Sequence, residues 1–262
     1  ILFHMLQENE MGDLEEKIIL VTGGSRGIGA EIVRQSVKEG AKVILHYGKS
    51  HDAAISIQDE VGKDKCQIIS ADLMKNKEIL SLWEKSWEWR GRIDVLVNNA
   101  GIYEPVDVAD NFTDWTDAWS KTLQINLLAT AHLSRLAILA YRECGGGTII
   151  NITSRAAFRG DTHFHMHYAA SKGGQTALTS TISRGYGGDG ITCYSIAPGW
   201  VDTEMAREGA EKVGWDYVLK DLPLGEMVPP REVANVAVFM ASGKARHLTG
   251  SSVSINGGSF PR

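Results

Sequence analysis

A short apolar run, Lys17–Val21, passes straight into Thr22-Gly23-Gly24-Ser25-Arg26-Gly27-Ile28-Gly29, and helical spacing begins at once. Few features constrain a fold more. Glycine allows backbone turns closed to other residues and leaves no side chain between the main chain and a phosphate. A helix starting there offers free N–H groups and the positive end of its dipole. A glycine-rich turn alone would be a tight loop; a strand before it and a helix after it point to a nucleotide site. Gly23, Gly27 and Gly29 are spaced GxxxGxG, which differs from GxGxxG.

The rest of the chain repeats the alternation. Further short apolar runs stand at Lys42–His46, Gln67–Ser70, Asp94–Val97, Thr148–Ile152, Thr192–Ile196 and Ser252–Ile255. Helical spacing fills the intervals at Asp52–Val61, Leu80–Trp89, Trp115–Arg142, His167–Tyr186 and Arg231–Ala241. Continuous β-branched strands suit a parallel sheet buried on both faces. Strands alternating with helices predict an α/β fold, a doubly wound parallel sheet of the Rossmann type with helices on both faces. No linker divides the chain, so residues 16–262 are expected to form one domain. Residues 1–15 are apolar and then acidic, lack a signal-peptide pattern, and read as a disordered or non-native extension.

Composition narrows the partners. The net charge is -5, which gives no basic face for nucleic acid. Cys66, Cys144 and Cys193 are odd in number and widely spaced, which argues against a disulfide framework or zinc site and fits a reducing cytoplasm. No apolar run is expected to reach bilayer-spanning length, so no membrane partner is predicted. His163, His165 and His167 alternate, yet Asp161 apart no carboxylate or cysteine completes a ligand set. They read as a substrate-lining or solvated loop, with no metal. Trp83, Trp87 and Trp89 read as packing against the sheet.

The second strand bears on the cofactor. An NAD site places an acid near its end to hold the ribose hydroxyls. Here it ends His46-Tyr47-Gly48-Lys49-Ser50, without one. Arg26 and Lys49 could meet a 2′-phosphate through charge-assisted bonds. NADP(H) is therefore favoured over NAD(H), the alternative being that both cations are solvated surface charges.

Four motifs stand in order: the TGGSRGIG turn, Asn98-Asn99-Ala100-Gly101, Tyr168-Ala169-Ala170-Ser171-Lys172, and Pro198-Gly199. From about Glu16 to its end the chain resembles the short-chain dehydrogenase/reductase superfamily, and is similar to its 3-oxoacyl-(acyl carrier protein) reductase branch. The resemblance implies an oxidoreductase moving a hydride between cofactor and a carbonyl or alcohol, possible 3-oxoacyl thioesters included. It implies a catalytic set of Asn126, Ser154, Tyr168 and Lys172. Tyr168 and Lys172, four apart on a helix, share a face. A phenol's pKa near 10 is too high for efficient proton exchange at neutral pH, and a nearby ammonium is expected to lower it. Ser154 could hold the substrate oxygen, with Thr153 as the competing hydroxyl.

By the same resemblance, Lys172 also holds the nicotinamide ribose, and Asn126 supports a water relay to it. Asn99, Ala100 and Gly101 shape the adenosine-ribose side, and Asp72 meets the adenine amino group, a helix N-cap being its other reading. Pro198, Gly199, Val201 and Thr203 surround the carboxamide and phosphates. Ser25, Ile28, Tyr47 and Leu73 complete the expected cofactor contacts. Arg155 and Trp200 join Ser154 and Tyr168 on the substrate side. The loop from Ser154 to Tyr168 is about one residue longer than in many relatives. Residues 200–228 read as a mobile lid. Relatives pair the two long helices in dimers or tetramers, and a homo-oligomer is expected here, although Gly185, Gly187 and Gly188 weaken the end of the second helix. The rival readings are an NAD-dependent alcohol, sugar or polyol dehydrogenase and a non-catalytic nucleotide sensor.

Overall fold

The computed structural model describes residues 12–261. Each apolar run closes into a strand: β1 (Ile18–Val21), β2 (Lys42–Tyr47), β3 (Cys66–Ser70), β4 (Val95–Asn98), β5 (Gly147–Ile152), β6 (Ile191–Pro198) and β7 (Ser252–Ile255). They form one seven-stranded sheet in the order β3-β2-β1-β4-β5-β6-β7, parallel throughout. The helices are α1 (Gly27–Lys38), α2 (His51–Val61), α3 (Asn76–Arg90), α4 (Phe112–Leu123), α5 (Ala129–Cys144), α6 (Ala156–Arg159), α7 (Met166–Tyr186), α8 (Glu204–Val213), α9 (Trp215–Lys220) and α10 (Pro230–Ser242).

Side chains alternate along a strand, so both faces must be covered. In β1, Ile19 and Val21 enter one core with residues of α1, α2 and α10. Ile18 and Leu20 enter the other with residues of α3, α5 and α7. Trp83 is buried in that second core, and Trp87 and Trp89 pack against it, as their spacing suggested. The strand order reverses between β1 and β4. Open α/β sheets bind ligands in the crevice beyond the strands' carboxyl ends at such a point.

Two features differ from the sequence reading. The helix expected over Trp115–Arg142 runs from Phe112 to Cys144, and a π-helical turn at Gln124–Leu128 interrupts it. Asn111 caps its start, accepting the Asp114 N–H at 3.0 Å. This segment, 33 residues with a mean hydropathy of 1.3 at its most apolar, is long and apolar enough to cross a bilayer by length and composition, contrary to expectation. Its buried residues Leu133, Ala137, Ile138 and Tyr141 join the core beside the sheet, which accounts for the apolar composition.

The domain also begins ahead of residue 16. Leu14 is fully buried in the first core, and its N–H donates to Glu39 O at 2.9 Å. A lone leucine among acidic residues carries no periodic signal, so this packing was not legible. Residues 1–11 of the expected extension lie outside the described residues. The segment 200–228 holds α8 and α9 around a small core of its own: Ala210, Val218, Leu222 and Met227.

Candidate active site

The glycine turn forms as its composition requires. Gly23 and Gly27 sit at φ 64° and 53°, the left-handed region that favours glycine. Among the described residues no side chain caps α1, which leaves its first N–H groups free of a side-chain partner. Gly29 and Ser25 are buried within this turn, with Ile28 half-buried. The Asn99 amide donates to Thr22 O at 2.9 Å and Gly23 O at 3.0 Å. The Thr22 hydroxyl accepts the N–H groups of Asn99 and Ala100 at 2.9 and 3.0 Å. Asn99 and Ala100 are therefore spent on shaping the phosphate turn from the end of β4. Thr203 caps α8, accepting the Ala206 N–H at 3.3 Å, and its methyl group lies 3.0 Å from where a Cβ on Gly27 would stand.

On the far side of β2, Tyr47 is buried and its hydroxyl meets His51 Nδ1 at 2.6 Å. Lys49 is exposed. Arg26 lies 3.6 Å from Glu204 with both side chains mostly exposed, a pair of little worth in water. Asp72 accepts the Met74 N–H at 3.0 Å. It closes a turn ahead of α3 and is not that helix's N-cap, a position held by Lys75. Leu73 is buried, and its carbonyl accepts from Gln124 at 3.1 Å.

The four expected catalytic residues meet at the carboxyl end of β5. Lys172 is almost fully buried; its Nζ donates to Ile152 O at 2.8 Å and Gln175 Oε1 at 3.1 Å. Asn126 lies in the π-helical turn, fully buried. Its Oδ1 accepts the Ile102 N–H at 2.9 Å, and its Nδ2 donates to Ile102 O and the Ser171 hydroxyl. Its own carbonyl accepts from Gln175 Nε2 at 2.5 Å. Gln175 thus links Lys172 to the Asn126 carbonyl. Its signal in the sequence was its place three residues after Lys172, on the same helix face.

Ser154 is the side chain that pulls the Tyr168 hydroxyl toward a lower pKa. Thr153 is buried, and its hydroxyl donates to Ile196 O at 2.9 Å, which leaves Ser154 as the hydroxyl facing Tyr168. The expected lowering of the Tyr168 pKa does not occur in this state. Burial pushes it up to about 12, against a smaller opposing pull from Ser154. Burial likewise pushes Lys172 down to about 7. The reason is geometric: the ammonium is tied to a carbonyl and an amide, and stands 5.8 Å from the centre of the Tyr168 ring.

The substrate side holds contacts that spacing did not reveal. Tyr103 stacks flat on His165, with ring centres 3.8 Å apart, and meets Tyr168 edge-on at 4.7 Å. Its hydroxyl donates to Asp161 at 3.0 Å. His167 turns away and bonds Glu104 O at 3.0 Å, while His163 lies against Phe164. The alternating histidines therefore do not converge on one point. Arg155 is buried beside Trp200, its guanidinium carbon 5.9 Å from that ring's centre. Its Nη2 stands 2.6 Å from Asp221, while its buried Nη1 has no hydrogen-bond partner among the described residues. The Arg155 N–H donates to Pro198 O at 2.9 Å, and Gly199 donates to Ile255 O at 2.9 Å. Val201 bridges to Val228, which ties the base of the 200–228 segment together.

A family profile described as enoyl-(acyl carrier protein) reductase matches residues 23–259. The acetoacetyl-CoA reductase of Shinella zoogloeoides is 34% identical over 245 residues, covering 93% of this chain and 98% of that protein. The 3-oxoacyl-(acyl-carrier-protein) reductase of Chlamydia muridarum is 32% identical over 250 residues, covering 94% and 98%. That of Staphylococcus epidermidis is 31% identical over 248 residues, covering 93% and 99%. The chain belongs to the short-chain dehydrogenase/reductase family.

As a member of that family it is a nicotinamide-dependent oxidoreductase acting between a carbonyl and its alcohol. The geometry fits the cofactor. A Cβ on Gly101 would fill the space beside Asn126 Oδ1 and Lys172 Nζ, at 3.4 and 3.6 Å, which the glycine leaves open.

Proposed function

We propose that this enzyme reduces a ketone with NADPH, and that 3-oxoacyl thioesters, the substrates named for its relatives, are the first candidates. The observation carrying the reading is the convergence of Tyr168, Ser154 and buried Lys172 at the end of β5, with the Lys172 Nζ 5.8 Å from the centre of the Tyr168 ring. A phenol whose pKa stands near 12 holds its proton at every physiological pH, as a proton donor to a carbonyl must.

Bound nicotinamide supplies the hydride. Ser154 and Tyr168 hold the substrate oxygen as negative charge gathers on it. Tyr168 gives its proton to that oxygen, and the charged Lys172 stabilises the phenolate left behind. Gln175 and Ile152 O hold the lysine in place, with Asn126 fixing Gln175 from the π-helical turn. Arg155 and Trp200 bound the substrate side, and residues 200–228 act as the lid. The first-turn N–H groups of α1, with Ser25, Thr203 and the Pro198–Gly199 corner, take the pyrophosphate and carboxamide; Asp72 and Leu73 take the adenine. Arg26 and Lys49 take the 2′-phosphate, supported by the lack of an acid at the end of β2. We further read the enzyme as a cytoplasmic homodimer or tetramer. Free Cys66, Cys144 and Cys193 suit a reducing compartment, and exposed Phe112, Leu128 and Leu139 on the long helical segment offer apolar surface to a second copy.

Nicotinamide oxidation, NADPH beside NADH, against ketones, aldehydes, sugars and a 3-oxoacyl thioester tests the reading. NADPH preference with ketone or thioester turnover is expected. NADH preference with sugar or polyol oxidation would replace it with the dehydrogenase alternative. Tight cofactor binding with no turnover on any substrate would leave a nucleotide sensor.

A further inference from the structure

His46 is buried at the end of β2, its side chain 2% exposed, and the catalytic scheme makes no use of it. Its two ring nitrogens meet main-chain groups of opposite polarity. The Gly23 N–H points at Nδ1 from 3.1 Å. The Ala71 carbonyl lies 3.0 Å from Nε2. An N–H can only donate and a carbonyl can only accept, so Nδ1 is the bare nitrogen and Nε2 carries the hydrogen. Burial pushes the ring's pKa down to about 4, which keeps this neutral tautomer in place. The main chain adds a third tie: the Gly24 N–H donates to His46 O at 2.8 Å.

The two partners belong to different parts of the crevice. Gly23 opens the glycine turn, and Ala71 immediately precedes Asp72 at the end of β3. We propose that His46 is a positioning residue for the dinucleotide, a rigid neutral strut that sets the phosphate turn against the adenine-side segment. This rests on the cofactor reading above. It also explains how the turn divides its donors: the first two glycine N–H groups face His46, and those at the start of α1 are left for the ligand.

Side-chain shape permits each tie to be cut alone. In His46→Asn, Oδ1 stands where Nδ1 was and keeps the Gly23 bond, while the reach to Ala71 is lost. In His46→Gln, the terminal amide reaches Ala71 and the Gly23 acceptor is lost. Calorimetric dissociation constants for NADPH and for adenosine 2′,5′-bisphosphate, which carries only the adenine half, separate the two. His46→Asn is expected to weaken both ligands about tenfold, the scale of one lost bond at a buried group. His46→Gln is expected to weaken NADPH about as much and leave the bisphosphate within about twofold. Thermal melting of each unliganded variant identifies the folded samples, and His46→Asn and His46→Gln serve as each other's check. Equal losses for both ligands in both variants, or NADPH constants within about twofold of wild type, would overturn the strut. Failure of the wild-type enzyme to bind either nicotinamide would sink the cofactor reading itself, and the strut with it.

Discussion

The two sides of the crevice are built by different means. The cofactor side is mostly main chain: a glycine turn, an uncapped helix start, and the side chains of half-buried Asn99 and buried Thr22 and His46, which bond backbone. The substrate side is mostly side chain. Tyr103 on His165 and Arg155 on Asp221 join segments far apart in sequence. Even the cores differ. The cofactor side rests on the central sheet, whereas the 200–228 segment has its own small cluster. A set of main-chain N–H donors at a helix start suits a phosphate-bearing ligand and leaves few side chains to vary. A wall of side chains can change residue by residue without disturbing the sheet beneath it, so specificity belongs there.

The strongest test of this division is Tyr168→Phe. It removes the proton donor and leaves the ring and the phosphate turn in place. Turnover should fall about a thousandfold, within the range for losing a positioned acid, while the NADPH dissociation constant stays within about twofold, since no phosphate contact is lost. Loss of both would show that the two sides are not separable.

The next test lies wholly on the substrate side. Asp221→Asn takes the charge from beside a buried guanidinium. Removing one partner of a fully buried pair costs about 3–5 kcal/mol. Asp221 is 27% exposed, so about 2 kcal/mol is expected here. It should appear as a lower melting temperature and a raised KM for the ketone, with cofactor affinity unchanged. Replacing both partners, Arg155→Met with Asp221→Leu, should recover most of the stability. A double variant no more stable than Asp221→Asn would show that the pair is more than a clasp.

The same division decides what could be read from the chain alone. The cofactor side was legible because its geometry is local: Gly23 to Gly29 act within one turn, and Tyr168 and Lys172 lie on one helix. The sheet was legible because each strand is short, apolar and bounded by turns. The Arg155–Asp221 pair spans 66 residues and the Tyr103–His165 stack 62, and nothing in spacing marks either. The π-helical turn at Asn126 has no periodic signature either, since one extra residue hardly disturbs an apolar stripe. The tyrosine's proton affinity failed for another reason. The neighbouring charge could be read from the sequence, but burial could not, and burial was the larger effect.

That reversal gives a pH test. Lys172 titrates near 7 and Tyr168 near 12. Below pH 7 the lysine is charged and the phenol protonated, and both favour reduction. Above it the lysine loses the charge that stabilises the phenolate, while the phenol keeps its proton. Ketone reduction at saturating NADPH should therefore decline from about pH 7, by up to about tenfold per unit. Alcohol oxidation needs the phenolate as base and should instead rise with pH. A reduction rate flat to pH 9 would mean that bound substrate and cofactor restore the lysine's usual pKa.

The smallest expected effect falls on the part of the cofactor side that is made of side chains. Arg26 is 65% exposed and weakly paired with Glu204; Lys49 is exposed as well. Neither is held as the glycine turn is, so each must give up side-chain freedom to grip a phosphate. Arg26→Ala should reduce the ratio of NADPH to NADH affinity about fivefold, near the upper end for an exposed ion pair. Losing Glu204 should work the other way, since Glu204→Gln frees Arg26 and should raise the ratio slightly. The sign of that second change is the sharper probe. If Glu204→Gln weakens NADPH, then Glu204 holds Arg26 in place for the phosphate instead of competing with it, and this corner is as pre-organised as the glycine turn it adjoins.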